Sequence, residues 1–336
     1  MNTLNVVLPL GSSVLSFAFA AMVFDQWWQR RKAFQLVWGI GLLCYGISTG
    51  AEFIGGAFGW TDPMYRAWYL FGAFLVPAYL GTGTLYLLNK TRFGYFVAAS
   101  VVLGGLFSLA ATSKYPGSTS GGYTAFALAL VSGVAIATTT TVRRDLQAHV
   151  ATICLVIGTL VVAALVVTAH LSGAYTDPST HAPVAVAIPG YLRVSSVPFN
   201  AGGGLALVFG ALYSAYIYMP KKRVLAAHLA VLAITVNFIA SLPGAVTALF
   251  AGKLNSRVPA TILIAIGAFI PGVTSSLNRF GITWATFLGE FLGVLLIFAG
   301  FLVSEEVFKN IRIGATLWSR GPSERTLVIE ASSSGD

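Results

Sequence analysis

Charge is scarce in this sequence. Asp, Glu, Lys and Arg together make up 9% of its 336 residues, where a soluble domain carries about a quarter. With 56% hydrophobic residues and a mean hydropathy of +0.80, that scarcity excludes an ordinary water-soluble globule. Acidic residues are rarer than basic ones, 11 against 20, leaving a formal charge of +9. The cations fall in short turns between apolar runs, where they set orientation and meet lipid headgroups, so nucleic-acid binding is not expected. Cysteine is nearly absent: Cys44 and Cys154 lie inside apolar runs and read as small buried residues rather than as a disulfide.

The four histidines, His149, His170, His181 and His228, do not make two facing pairs of haem ligands. His170 lies about 31 Å along a helix from His149, and His181 falls in a loop. Also missing are His-Glu-x-x-His, a phosphate loop, Gly-x-Ser-x-Gly and any tight aspartate cluster. No cofactor and no metal is expected, and enzymatic activity is disfavoured.

What the chain does have is alternation between long apolar runs and short basic clusters. The runs are 4–26, 33–57, 64–88, 93–112, 123–141, 149–172, 197–219, 224–251, 258–277 and 282–303. Each is close to the ~20 residues a helix needs to cross a hydrocarbon layer. Basic residues follow every second run, at Arg30-Arg31-Lys32, Lys90 and Arg92, Arg143-Arg144, Lys221-Lys222-Arg223 and Arg279. Loops of that kind stay in the cytoplasm. The first run has no basic residue before it, the reverse of a secretory signal, and is expected to be a retained span with the N-terminus outside.

The fold class is therefore an all-α integral membrane protein, a polytopic bundle of nine or ten transmembrane helices over residues 1–303, expected in the cell membrane. Residues 304–336 form a polar tail with the composition of a disordered segment. Ten spans place that tail outside, although it carries Lys309, Arg312, Arg320 and Arg325. Nine result if one late run fails to cross, and 258–277, interrupted by Gly267 and Pro271, is the weakest. The longest outer connection, 172–197, holds several turn signals. It serves either as a lid on the outer mouth or as a plain connector.

Residues 72–77 read Gly-Ala-Phe-Leu-Val-Pro and lead to Arg92-Phe93-Gly94, while residues 267–271 read Gly-Ala-Phe-Ile-Pro and lead to Arg279-Phe280-Gly281. The echo predicts a parallel four-span repeat, 4–112 matching 197–303. Proline-broken helices in matching halves frame binding sites in carriers, which makes Pro77 and Pro271 candidate site residues. Only Glu52 and Glu290 are acidic and well inside a run. A carboxyl there faces the bundle interior with a partner. Glu290, near mid-span in Gly-Glu-Phe-Leu-Gly, can bind a proton, a cation or a substrate donor, or else serve packing. Glu52, nearer the outer surface, is expected to pair with Arg66. Asn237, polar within a span, and His228, at the inner start of one, complete the candidate ligand-binding set.

Trp38, Tyr45, Glu52, Trp68, Tyr69, Gly72 and Pro77 together give residues 38–77 a pattern that resembles the N-terminal seven-span sensing region of some bacterial histidine kinases. The resemblance implies a ligand-sensing bundle over the first seven spans, with its exit at Pro220–Arg223. More spans follow where a kinase domain would stand, so any output would pass through a partner protein. Three functions fit these features: a non-enzymatic membrane protein that binds or transports a small or amphipathic molecule, a membrane sensor acting through a partner, and a quinone-facing subunit of a redox complex. The expected partners are the lipid bilayer, a small-molecule ligand and a partner protein.

Overall fold

A computed structural model describes residues 3–178, 182–225, 230–278 and 284–303. They form ten helices long and apolar enough to cross a membrane. These are α1 (Leu4–Arg30), α2 (Ala33–Phe58), α3 (Asp62–Leu87), α4 (Phe93–Ala111), α5 (Thr119–Val142), α6 (Gln147–Thr168), α7 (Gly190–Tyr218), α8 (Ala230–Phe250), α9 (Arg257–Asn278) and α10 (Trp284–Val303). Among the described residues there is no strand, only an isolated bridge from Thr176 to Pro183. The tail 304–336, the turn Arg279-Phe280-Gly281, His181 and His228 lie outside the described residues.

The first seven helices run alternately up and down. Ser13 bonds the Gly46 carbonyl while Phe24 packs on Gly39, which makes α1 and α2 antiparallel. Arg31, in the left-handed region at φ 53°, turns the chain between them. The basic turns after α1, α3, α5 and α7 consequently gather at one end of the bundle. Two of those turns are bonded directly, Asn89 Nδ2 to the Asp145 carbonyl, and the buried Gln147 donates to the carbonyls of Asn89 and Thr91.

The centre of the bundle is α7, which packs on α3, α4, α5 and α9. Small residues let these backbones approach. A Cβ added to Gly203 would stand 2.3 Å from the Pro77 carbonyl oxygen, and one added to Gly81 would stand 2.3 Å from the Gly203 oxygen. Pro77 shapes α3 as well. It has no N–H to give Ala73, and just before it the helix widens into a π-turn over Leu70–Leu75, with the Val76 N–H reaching back to Phe71.

Direction changes late in the chain. Arg257, at the start of α9, bonds the hydroxyl of Tyr218, at the end of α7, at 2.6 Å. The chain thus leaves α7 and enters α9 at the same, basic end, and α8 makes no net traverse. Its packing partners lie at that end: Ala245 clusters with Ala215, Met219 and Val258, and Phe238 meets the Tyr216 ring. From there α9 runs to the far end and α10 returns, since Gly267 abuts Gly293 and Gly300 abuts Ala260. α10 is parallel to α1, with Phe291 on Gly11 and Phe298 and Phe301 on Phe19. It ends, at Val303, at the basic end.

Three expectations change. Nine helices run from end to end, and the one that does not is α8, not the Gly- and Pro-interrupted run 258–277. The run predicted from 224 is not helical at its start, since 219–225 lie outside any helix. The parallel repeat fails in orientation: α3, with Pro77, runs parallel to α7, whereas α9, with Pro271, runs antiparallel to it. Short apolar words fix helix length but not direction.

The long connector after α6 packs against the end opposite the basic turns. Ala182, Ala187 and Ile188 are buried, and the Tyr65 hydroxyl donates to the Val184 carbonyl. The connector also closes on itself, the Val184 N–H donating to the Tyr175 carbonyl at 3.0 Å.

Candidate functional site

Two glutamates from opposite ends of the chain meet near the far end of the bundle. Glu52 on α2 and Glu290 on α10 bring their carboxyl groups together. Glu52 lies six residues inside the end of α2 at Phe58, or about 9 Å in, and Glu290 lies near that level, its neighbour Phe291 packing on Gly11, seven residues into α1. Glu290 thus stands at the depth of Glu52 rather than at mid-span. Glu52 is 4% exposed; Glu290 is half-buried as a residue, but its Oε2 is enclosed.

Neighbouring helices fix the pair. Trp68 Nε1, on α3, donates to Glu52 Oε1 at 2.6 Å, and the Tyr45 hydroxyl, two turns away on the same face of α2, donates to the Glu290 backbone carbonyl at 2.8 Å. Ser48 donates to the Trp68 carbonyl at 3.2 Å, holding α3 against α2 where Gly72 leaves room for its hydroxyl. On the other side Gly289 lies against Thr274, and Gly293 against the ring of Pro271. This seam brings α9 close enough to back Glu290.

Glu52 Oε2 and Glu290 Oε2 are enclosed and have no hydrogen-bond partner among the described residues. Two carboxylates cannot both be charged at hydrogen-bonding distance without a neutralising cation. No Lys, Arg or His pairs with either among the described residues; the ion pair found there is Arg66 with Asp62, at 3.4 Å. One proton held between two such carboxyls relieves that repulsion, as in a carboxyl dyad. No group of three His, Cys, Asp or Glu suited to a metal occurs among the described residues.

Above the pair, toward the far end, Trp68 belongs to an aromatic layer. Its ring lies 5.8 Å from Trp60 and 5.2 Å from Tyr65, and Tyr65 lies 4.9 Å from Tyr175 of the connector. Trp60 and Trp68 form a cover over the carboxyls.

The other candidates separate from the pair. Arg66 does not reach Glu52. Its guanidinium donates to the carbonyls of Val166, Val167 and Ala169, with 3.1 Å to Val167 and 2.8 Å to Ala169. The last carbonyls of a helix lack intrahelical donors and carry the negative end of its dipole, so they outcompete a distant carboxyl for the cation. Arg66→Met is accordingly expected to lower stability by about 1–2 kcal/mol and to leave the carboxyl pair intact, which denaturant titration alongside proton binding will check. Pro77 serves the α3–α7 crossing, not the pair, whereas Pro271 packs on Gly293, one turn along α10 from Glu290. Asn237 holds the chain between α7 and α8, accepting from the N–H groups of Val224 and Leu225 at 2.7 and 2.9 Å. Sequence reasoning missed Tyr45 and Trp68 as partners of the carboxyls; a polar-tipped aromatic in the same run as a lone acid, or in the next, was the available signal.

In comparisons with known proteins, no family model, no curated protein and no solved structure matches this chain.

Proposed function

We propose that this chain is a multi-pass protein of the cell membrane that binds or transports a small or amphipathic molecule, with the proton on Glu52 and Glu290 as the coupled ion. Nine helices cross, the basic turns face the cytoplasm and the N-terminus lies outside. The length and apolarity of the helices support crossing, and the gathering of basic turns at one end supports the orientation. One observation carries the functional part: the two acids well inside the span-length helices come together with their Oε2 atoms enclosed and no cation paired with either among the described residues. An ionisable group in that setting is costly, and such groups mark ion and substrate paths.

The pair lies toward the outer side, beneath the cover of Trp60, Tyr65 and Trp68. Binding there exchanges the shared proton for a ligand donor or cation, and the aromatic faces favour a molecule with an apolar body and a cationic or hydrogen-bonding head. Proteoliposomes enclosing a pH-sensitive dye test this against pools of small amphipathic amines and acids. At least one pool is expected to drive protein-dependent proton movement, reduced at least tenfold in Glu290→Gln and in Glu52→Gln. Movement unchanged in both variants would remove the pair from the function. Silence of the native protein with every pool would remove transport.

A further inference from the structure

Helix α8 is apolar on nearly every side and yet stands apart from the bundle. Its buried positions form a single narrow stripe, Ala233, Asn237, Ser241 and Ala245. Leu232, Ile239, Val246, Leu249 and Phe250 are exposed, Phe250 by 87%. Much of the stripe faces not another helix but the non-helical segment 219–225. The Lys222 N–H donates to Ser241 Oγ at 2.8 Å, and Asn237 both accepts from Val224 and Leu225 and donates to the Leu225 carbonyl at 3.0 Å. The basic trio Lys221-Lys222-Arg223 is thereby strapped along the middle of an apolar helix, and all three residues are exposed.

Three placements of such a unit can be compared. Standing out in water, the helix would leave its whole apolar surface solvated. Dipping into the hydrocarbon, it would carry three cations with it, each strongly opposed there. Lying in the plane of the interface, it buries its apolar sides among acyl chains while the cations remain among headgroups. Only the third satisfies both halves of the unit. The bundle also sets this level, because α8 crosses the last turn of α7 and the start of α9, where Lys221 lies over the Tyr216 ring at 5.6 Å.

We propose that α8 lies in the membrane plane at the basic face and that Lys221, Lys222 and Arg223 bind the headgroups of anionic phospholipids in that leaflet. The proposal rests on the reading that the other nine helices cross the bilayer. The occupant follows from the charge of the strap and the apolarity of the helix beside it, a combination that a soluble anion does not match.

The test uses the full chain in nanodiscs, in a background with Cys44 and Cys154 replaced by alanine. Spin labels are attached singly at Leu232→Cys, Ile239→Cys, Val246→Cys and Phe250→Cys, with Ile157→Cys at the middle of α6 as the depth reference. All four α8 labels are expected at headgroup or upper-chain depth while the reference is deep. An α8 label as deep as the reference, or labels exposed to water along the whole helix, would overturn the placement. A reference label that is itself in water would show that the crossing reading has failed, and the proposal with it.

Lipid choice is read separately, by mass spectrometry of lipids retained from mixed phosphatidylglycerol and phosphatidylcholine vesicles. The native chain is expected to retain phosphatidylglycerol at least threefold over its share. Lys221→Gln with Lys222→Gln and Arg223→Gln is expected to lose that enrichment. The charge-keeping set Lys221→Arg, Lys222→Arg and Arg223→Lys should keep it, which separates headgroup binding from misfolding. Enrichment unchanged in the glutamine set, or abolished by millimolar inorganic phosphate, would overturn the lipid assignment.

Discussion

Gly203→Leu is expected to destabilise the bundle by about 3 kcal/mol or more, the upper range for forcing volume into a packed interior. An added Cβ would lie 2.3 Å from the Pro77 oxygen, 2.4 Å from its carbon and 2.5 Å from the Ala78 Cα. All three are backbone atoms, so no rotamer change relieves the overlap and α3 must move away from α7. That movement would open the centre of the molecule, because α7 also carries α4, α5 and α9. The neighbouring Gly204 is the control. Nothing lies within 4 Å of its would-be Cβ, so Gly204→Ala should gain up to ~1 kcal/mol from helix propensity. Unfolding in mixed micelles, followed by circular dichroism, measures both. Equal effects at the two positions would refute the close crossing.

The second large effect concerns the carboxyl pair as a unit. Glu52→Leu leaves Trp68 Nε1 and the Glu290 carboxyl without their partners, at a cost of about 2–3 kcal/mol. Glu290→Met does the same to Glu52. The double variant removes both polar groups, so its loss should fall short of the summed single losses by about 1–3 kcal/mol. Proton movement should be absent in all three. Additive losses would mean that the side chains do not meet. Restored proton movement in the double variant would mean that they meet without serving transport.

Much of this was legible in the sequence, and the exceptions have physical reasons. A run of ~20 apolar residues can do little but form a helix among lipids, so eight of the ten helices fall within about four residues of their predicted bounds, while α7 starts at Gly190, seven residues before its predicted start. Glu52 and Glu290 stood out because acids are rare in such runs. Their partnership did not, because it joins the second helix to the last and no periodicity encodes which helices touch. Arg66 was assigned to Glu52 because sequence displays side chains only, whereas its acceptors are backbone carbonyls at the end of α6. For α8, hydropathy reports length and greasiness but not heading. What turns it aside is a polar pair, Asn237 and Ser241, that clasps the non-helical chain before it, and two such residues in a helix read equally well as contacts between helices. The predicted repeat failed for the same reason.

The contact between Tyr218 and Arg257 has a consequence for how this protein can vary. The chain departs and comes back at almost one point, so everything between is an excursion that the remaining helices do not require for closure. An excursion of that kind is a cassette. Its length, its greasiness and its charge are free to drift or to be exchanged from one protein to another, tuning where the molecule settles laterally, while the scaffold around the paired acids stays untouched.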